Sequence, residues 1–518
     1  MSKRIFFLLA SVAATAGTAV PASAPARQAA PRPLSEQEQR FAADFDAFLA
    51  SAAARLPDVP SIAVAVARGD RPIYLRAVGS ADLAARRPAT PDTLYYIASS
   101  TKSFLGLAFA ALDARGEIDL DWTLAELAPD ISFAPELQAD RVTLRHLLSH
   151  THGLSCYPIV FRLAFTGEHD PATLWRLLRG LRQNREAPLG TYRYTNLGYN
   201  VAAMLVERRL HRRWQDIVDR EVLAPLGMAH SLTQNVARAR RQLAFAAPYT
   251  TMVAAGTAPV YLVKEDDTMQ SAGGMFASAR DLARWVQVQL AAERGTAAGR
   301  LPAAVIAATH RPIGTMDDRS EMFRRTGYGL GWYSGDHIGH TLYHSFGGFP
   351  GARAHVSFMP GRDLGVVALS NDDGAGAILA DVVAAYAYSW FAEGPAAANA
   401  AGNALIERVV GQLGQRRARI AAARAEQAAR PWRLSLPAAA YAGRYCNAEL
   451  GTITISERNG HPAMAMGRLR AEGGPFDQPD AVRMEPIPGE GWVMRFEIRD
   501  GAPAALTAFD NYRFDRCR

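Results

Sequence analysis

The segment from Tyr95 to Phe104 constrains this chain most, because a serine and a lysine stand three positions apart at the start of an apolar pattern. Apolar residues then recur every three or four positions, and the pattern stops at Gly116. A helix that begins near Ser99 places the side chains of Ser99 and Lys102 on one face, one turn apart. The segment therefore predicts a helix with a serine at its positive end, where N–H groups stabilise an anion.

The spacing of Ser99 and Lys102 suits nucleophilic chemistry. A serine hydroxyl is a poor nucleophile unless a neighbouring base removes its proton, and a lysine serves if burial or another cation lowers its pKa from about 10.4. Ser-x-x-Lys alone is equally compatible with an N-cap serine and a solvated lysine. Lysine occurs three times in the chain, at positions 3, 102 and 264, so each one is of interest.

Length and composition exclude several classes of protein. The chain has 518 residues, 49% hydrophobic and 21% charged, which predicts an ordered protein of two or three domains at roughly 150 residues each. The net charge of +7 is spread without a basic block, so no nucleic-acid partner is expected. A Gly-x-Ser-x-Gly elbow and a phosphate-binding glycine loop are both missing from the sequence, which disfavours an α/β-hydrolase and a nucleotide-dependent enzyme.

Residues 1–26 have the layout of a secretory signal. Met-Ser-Lys-Arg precedes an apolar run from Ile5 to Val20, and small residues follow it. We expect cleavage between residues 23 and 27; the alternative is an uncleaved anchor, for which the run is short and rich in alanine. The expected location is periplasmic or secreted, with no stable membrane span after cleavage.

The remaining chain divides into three parts. Residues 36–394 contain helical patterns, a hairpin pattern over 61–79 and a later run of strands, which predicts an α+β domain: an antiparallel sheet flanked by helices. An Arg/Ala-rich stretch at 395–435 predicts a helical connector. Alternating segments with Gly, Pro and Asn turns over 436–518 predict a small all-β, barrel-like domain.

Three cysteines allow one disulfide. Cys446 lies in the first strand region of the C-terminal domain and Cys517 almost at its end, so a bond between them would join the two ends of that domain. Two unpaired thiols are the alternative. Cys156 is expected to be a buried inert thiol, with a reactive thiol near the site as the other interpretation.

A second polar motif follows about ninety residues after the first. Tyr194-Thr195-Asn196 lies in a loop-like stretch before another apolar helix. The phenol of Tyr194 could relay the proton of the nucleophile, and the amide of Asn196 could hold a substrate carbonyl. A packed loop tyrosine and an asparagine cap are equally compatible with this segment taken alone.

Over residues 40 to 392 the chain resembles the serine β-lactamase-like hydrolases, which include class C β-lactamases, D,D-peptidases, D-aminopeptidases and esterases. Five segments carry the resemblance in the family order: 95–104, His146 to Leu154, Tyr194-Thr195-Asn196, Ala272-Gly273-Gly274-Met275 and Gly347 to Gly351. The segment 436–518 resembles, more weakly, a barrel domain found in some members.

The resemblance implies a role for each matching residue. Ser99 would be the acylated nucleophile, Lys102 the general base, Tyr194 the proton relay to the leaving group and Asn196 a substrate contact. The oxyanion hole would be the backbone N–H of Ser99 together with that of Gly348.

The third family element departs from its usual form. Members have Lys-Thr-Gly or His-x-Gly there, whereas this chain has Tyr343-His344-Ser345-Phe346-Gly347. The commonest spacing places Ser345 in the cationic position, and a shift of one residue would place His344 there; both, with Gly347, are predicted substrate-binding residues. Arg353 could replace the missing cation, but we expect it to be an exposed arginine at a strand end.

A histidine cluster raises a rival hypothesis. His146, His150 and His152 could form a zinc site, although no nearby carboxylate completes a ligand set and the family has a structural turn there. We therefore predict neither a metal nor a cofactor.

Together these features predict an exported serine hydrolase that cleaves a small-molecule ester, amide or peptide through an acyl-enzyme on Ser99. Because the third element lacks lysine, an esterase or peptidase is favoured over a β-lactamase. The alternatives are a penicillin-binding or envelope sensor of the same fold that does not turn over, and a zinc hydrolase.

Overall fold

The computed structural model describes residues 32–319, 322–509 and 511–517, so the predicted signal segment 1–26 lies outside the described residues. The α-helices of the described chain are α1 (Glu36–Arg55), α2 (Thr101–Ala114), α3 (Leu124–Leu127), α4 (Leu144–Leu148), α5 (Tyr157–Phe161), α6 (Pro171–Leu177), α7 (Asn196–Leu210), α8 (Trp214–Val218), α9 (Ala224–Leu226), α10 (Val236–Ala239), α11 (Ala279–Glu293), α12 (Ala303–Ala308), α13 (Ala375–Ala392) and α14 (Pro395–Ala429).

Strands outside the C-terminal region belong to one large sheet and several short ladders. They are β1 (Ser61–Arg68), β2 (Arg71–Asp82), β3 (Arg87–Pro88), β4 (Tyr95–Tyr96), β5 (Leu154–Ser155), β6 (Arg182–Gln183), β7 (Ser231–Leu232), β8 (Tyr249–Thr250), β9 (Ala258–Pro259), β10 (Phe276–Ala277), β11 (Gly314–Asp318), β12 (Arg324–Tyr328), β13 (Tyr333–His337), β14 (His340–Phe349), β15 (Ala352–Met359) and β16 (Leu364–Ser370).

The large sheet has the order β11-β12-β13-β14-β15-β16-β1-β2-β3, and its named pairs are antiparallel. The predicted hairpin is β1 with β2, in register Ser61↔Gly79. Strand β1 also pairs with β16, about 300 residues later, so the sheet is completed by distant segments. This architecture confirms the predicted α+β class.

Two hydrophobic clusters cover the two faces of the sheet. One face packs on α1 and α13, with Phe41, Phe45 and Tyr386 fully or almost fully buried. The other face packs on α11 and on the helical region that includes α2 and α7, with Phe104 stacked on Trp285 at 4.0 Å between ring centroids. Successive side chains of β1 point to opposite faces of the sheet and so enter both clusters. Because both of its faces are buried, β1 is apolar along its length.

Helix α13 is long and apolar enough, by composition, to cross a membrane. However, 72% of that window is buried inside the protein, between the sheet, α1 and α14. Burial on several sides explains its apolar composition as that of a core helix. Helix α14 occupies most of segment 395–435 and buries one narrow apolar stripe against α13 and α1.

A closed eight-stranded barrel forms the C-terminal part of the chain. Its strands are β17 (Gly443–Asn447), β18 (Gly451–Arg458), β19 (His461–Met466), β20 (Leu469–Pro475), β21 (Ala481–Ile487), β22 (Glu490–Arg499), β23 (Ala502–Ala508) and β24 (Tyr512–Cys517). First and last strands pair, and a disulfide joins Cys446 to Cys517 across them with 5.8 Å between the Cα atoms.

The barrel docks on the α+β part of the chain through segments 161–168 and 260–267. Phe161 and Leu262 belong to the same hydrophobic cluster as the barrel interior. Arg162 donates to the carbonyl oxygen of Glu449, and Arg468 forms an ion pair with Asp267 at 2.7 Å. The docking face therefore lies beside the end of β14, since Phe349 packs against this cluster.

Candidate active site

Ser99 lies in a 3₁₀ turn, Ala98–Ser100, that leads directly into α2. The residue before it, Ala98, has a φ of +44°, in the left-handed region that an alanine rarely adopts. Ser99 itself is only partly buried, and its Oγ lies near the side chain of Lys102 in the first turn of α2. Backbone strain of this kind is concentrated at functional sites.

Lys102 is buried, with a relative exposure of 1%, and its Nζ has three polar neighbours. It lies 3.1 Å from Ser99 Oγ, 2.8 Å from Asn196 Oδ1 and 2.7 Å from the carbonyl oxygen of Ala272. The three contacts connect α2 with the start of α7 and with the loop before β10. The structure thus brings together three of the five segments that carried the family resemblance.

Burial lowers the pKa of Lys102 well below its ordinary value of 10.5. A neutral amine has two N–H donors and one lone pair. The oxygens of Asn196 and Ala272 can only accept, so they take the two N–H groups. In this neutral form the lone pair would face the hydroxyl of Ser99, which is the geometry that a general base needs.

Tyr194 completes this polar group from the other side. Its phenol lies beside the Ser99 side chain, and the Nζ of Lys102 lies 4.8 Å from the centre of its ring. Burial and the neighbouring Tyr333 raise the pKa of Tyr194, so the phenol is neutral. The side chain still exposes 36% of its surface, which leaves it accessible from the cleft.

Asn196 is the first residue of α7, and its position follows from the cap of that helix. Thr195 is the N-cap, and its side chain accepts a hydrogen bond from the N–H of Leu197. The amide of Asn196 contacts Lys102, a role that its predicted function as a substrate contact did not include.

Strand β14 passes directly over the 3₁₀ turn that contains Ser99. A methyl group placed on Gly347 would collide with the carbonyl oxygen of Ile97 and lie 2.9 Å from the amide nitrogen of Ser99. Gly348 is exposed, and a methyl group there would have only Arg353 Nη1 near it, at 3.9 Å. Glycine at 347 therefore allows the strand backbone and the Ser99 N–H to approach each other.

The two candidate residues of the third family element, His344 and Ser345, lie on opposite faces of β14. Ser345 lies two positions before Gly347 and therefore shares the face of β14 that meets the turn containing Ser99. Its carbonyl oxygen accepts a hydrogen bond from the Ser100 hydroxyl at 3.3 Å. His344 lies on the other face, with its ring 5.3 Å from that of Tyr333. Burial and the charge of Arg325 lower the pKa of His344 well below 6.5, so it is not a cation.

Arg353 is not the exposed strand-end residue predicted above. Its side chain is only 16% exposed and donates to Asp381 of α13 at 2.6 Å. The cation nearest the tyrosines is Arg325 of β12, whose guanidinium lies 4.7 Å above Tyr333 and is paired with Asp318. No motif in the sequence marked Arg325, because this residue approaches the tyrosines from β12, the strand next to β13.

The three histidines do not converge. His146 and His152 each bond within their own turn through Nδ1, while Nδ1 of His150 accepts from the N–H of Thr195 at 3.4 Å. Among the residues that the structure describes, no group of three His, Cys, Asp or Glu side chains is arranged to hold a metal. His150 instead packs on Tyr194, with 4.4 Å between the rings.

With this geometry established, comparison with known proteins decides the family. The family described as Beta-lactamase matches residues 49–388, about two thirds of the chain. The protein belongs to the Beta-lactamase family.

Named relatives of this β-lactamase-family chain include hydrolases of different kinds. It is 28% identical over 329 residues to the unguisins hydrolase ungD' of Aspergillus campestris, covering 60% of this chain and 58% of the relative. It is 34% identical over 211 residues to the esterase EstB of Burkholderia gladioli, covering 38% of this chain and 53% of the relative. The chain thus spans less than two thirds of the length of these curated relatives.

Solved structures agree on the fold. The octameric penicillin-binding protein homologue from Pyrococcus abyssi superposes with a TM-score of 0.55 at 19% identity, covering 91% of this chain and 99% of that one. A structure described as SurE superposes with a TM-score of 0.51 at 19% identity, covering 93% and 99%. At these coverages each superposition extends into at least part of the barrel region of this β-lactamase-family protein.

Two polar groups near this site carry no motif in the sequence of this β-lactamase-family chain. The carbonyl oxygen of Ala272 holds Lys102, yet a backbone acceptor has no signature in residue type. Lys264 is buried beside the end of β14, and only the scarcity of lysine marked it. Cys156 is buried as expected, and burial raises the pKa of its thiol to about 11.

Proposed function

We propose that this protein is an exported serine hydrolase that cleaves ester or amide bonds of small molecules through an acyl-enzyme on Ser99. The observation that carries the proposal is the position of Lys102 Nζ, which lies 3.1 Å from Ser99 Oγ and is held by the oxygens of Asn196 and Ala272. A neutral amine in this position can take the proton of the serine.

The reaction follows from these positions. Ser99 Oγ attacks the substrate carbonyl carbon while its proton passes to Lys102 Nζ, and the carbonyl oxygen becomes an oxyanion held by the N–H groups of Ser99 and Gly348. The intermediate collapses, the bond to the leaving group breaks, and the proton reaches the leaving oxygen or nitrogen through Tyr194. Water then attacks the acyl ester, releases the acid and restores the Ser99 hydroxyl.

An esterase or peptidase is favoured over a β-lactamase. The chain has Ser345 where many members have a lysine, and the neighbouring His344 is neutral, so no cation of β14 faces the nucleophile. The relative from Burkholderia gladioli is named an esterase and the one from Aspergillus campestris a hydrolase. Export is supported by the signal pattern in residues 1–26 and by the disulfide of the barrel.

Intact mass spectrometry tests the mechanism. Wild type and Ser99→Ala are incubated separately with a fluorophosphonate and with a penicillin. We expect one fluorophosphonate adduct on wild type and none on Ser99→Ala, together with turnover of a p-nitrophenyl ester. A penicillin adduct that persists without ester turnover would favour the sensor alternative, and ester turnover that survives Ser99→Ala but is lost with a chelator would favour the zinc hydrolase.

Export has its own test. The full chain is produced in a bacterial host and the mature N-terminus is read from the intact mass of the protein released with the periplasm. Cleavage between residues 23 and 27 is expected, whereas a membrane-bound protein that begins at Met1 would contradict it.

A further inference from the structure

Lys264 is a second buried lysine, with a relative exposure of 3%, and the mechanism above does not use it. Its Nζ donates to the carbonyl oxygens of Ala164 and Thr268. Both acceptors are backbone atoms of segments that pack together beside the barrel. Burying an amine costs desolvation free energy. The contacts of Lys264 therefore indicate what it contributes to the structure.

Three aromatic rings surround this amine and form what we call the lysine cage: Tyr96, Phe165 and Phe349. The Nζ of Lys264 lies 3.7 Å from the ring centroid of Phe349, 5.5 Å from that of Tyr96 and 5.8 Å from that of Phe165. Tyr96 and Phe349 also pack edge to face at 5.5 Å. The protonated amine is attracted to ring faces within about 6 Å, and the neutral amine packs against the same three rings.

Two of the cage rings are side chains of the chain segments whose N–H groups form the proposed oxyanion hole. Phe349 directly follows Gly348 on β14, and Tyr96 precedes Ser99 by three residues. The lysine cage therefore connects the two chain segments whose N–H groups must converge on one oxygen atom.

The cage also reaches the base. The hydroxyl of Tyr96 donates to the carbonyl oxygen of Gly273, and the carbonyl oxygen of the preceding residue, Ala272, accepts from Lys102. A shift of the Tyr96 ring would therefore move the loop that directs the lone pair of Lys102. A third side of the cage, Phe165, lies in the segment on which the barrel docks.

We propose that Lys264 is a positioning residue for acylation of Ser99, which holds Phe349 and Tyr96 so that the N–H groups of Ser99 and Gly348 point at one oxygen. The inference rests on the function proposed above. Its physical basis is geometric: donors must lie within about 3 Å of the developing oxyanion, and small displacements of a donor reduce the rate steeply.

The test compares four variants with wild type for kcat and KM on a p-nitrophenyl ester and for the rate of Ser99 labelling by a fluorophosphonate. Lys264→Met keeps an unbranched side chain, one atom shorter, but removes the charge and the donors. Lys264→Arg restores a cation, and Phe349→Leu removes the ring that lies closest to it. Arg208→Met is the control, since it removes a comparable cation–ring contact, with Trp175 at 3.9 Å, outside the site.

We expect Lys264→Met and Phe349→Leu to lower kcat and the labelling rate about tenfold or more with KM within twofold of wild type, since the transition state loses more than the ground state. Lys264→Arg should recover part of the loss, and Arg208→Met should match wild type. If Lys264→Met does not fold, Phe349→Leu decides alone.

An unchanged kcat in folded Lys264→Met or Phe349→Leu would overturn the positioning role while leaving the proposed function intact. Equal effects on all four variants would overturn it as well, because they would indicate a general loss of stability. Wild type that neither labels nor turns over would instead contradict the proposed function itself.

Discussion

The Nζ atom of Lys102 lies 3.1 Å from the Oγ atom of Ser99, and its other two polar neighbours are oxygens that can only accept hydrogen bonds. This arrangement distinguishes a lysine suited to act as a base from a lysine that binds an anion as a cation. An ammonium ion could donate to all three oxygens, but burial disfavours the charged form. The amine is therefore arranged to take the proton of the serine.

Removing the amine should slow acylation. In Lys102→Met we expect the rate of Ser99 labelling by a fluorophosphonate to fall roughly 10² to 10⁴-fold, the usual contribution of a general base. Intact mass recorded over time measures the labelling rate, and Ser99→Ala is the control in which no labelling is expected. Labelling at the wild-type rate would assign the base elsewhere.

Acylation should depend on pH through the same group. The pKa of Lys102 is lowered, so the acylation rate should rise with pH through that lowered value and level off well below 10.5, because only the neutral amine accepts a proton. Asn196→Asp places a carboxylate 2.8 Å from Nζ, stabilises the ammonium and should move the rise to higher pH by about 1 to 3 units. If the acylation rate rises at the same pH in Asn196→Asp and in wild type, a group other than Lys102 titrates.

Two adjacent glycines provide a matched pair. Gly347→Ala forces a methyl group into the carbonyl oxygen of Ile97 and should move β14 away from Ser99, with a loss of activity of at least tenfold. Gly348→Ala meets only Arg353 Nη1 at 3.9 Å and retains its N–H, so activity close to wild type is expected. Ester hydrolysis by both variants at matched folded concentration is the measurement; equal activities would contradict the close approach.

Lys264 should leave a signature in stability against pH. Burial lowers its pKa to about 7 in the folded protein, whereas the unfolded chain keeps its proton up to about 10.5. Between these values the unfolded state binds more protons, so the free energy of unfolding should rise with pH, by up to about 1.4 kcal/mol per unit. Denaturant unfolding between pH 7 and 9.5 tests this, with Lys264→Met as the control that lacks this contribution; parallel profiles would refute the assignment.

The disulfide should stabilise the barrel by constraining its unfolded state. Cys446 and Cys517 are separated by 71 residues, for which the chain-entropy model gives about 4 kcal/mol. The double variant Cys446→Ser/Cys517→Ser should therefore unfold at lower denaturant concentration, while Cys156→Ala, which removes the free thiol, keeps the loop closed. A double variant as stable as Cys156→Ala would show that the barrel strands suffice.

Local spacing in the sequence determined several features of this protein. The three-residue interval from Ser99 to Lys102 placed both side chains one turn apart because a helix has 3.6 residues per turn. Two apolar runs around a Gly-Asp turn predicted the β1–β2 hairpin, and alternating segments with turn residues predicted the β-rich C-terminal part. Five motifs in order indicated the family. Each of these depends on residues close together in the chain.

Only the tertiary structure decided what these residues can do. The acceptors of Lys102 are 94 and 170 residues away from it, and strand β14 reaches Ser99 from about 250 residues later. The same packing places Ser345 and His344 on opposite faces of β14 and encloses Lys264 among three rings. Burial and contacts between distant segments set the pKa and the direction of a side chain, and neither quantity is encoded in local spacing.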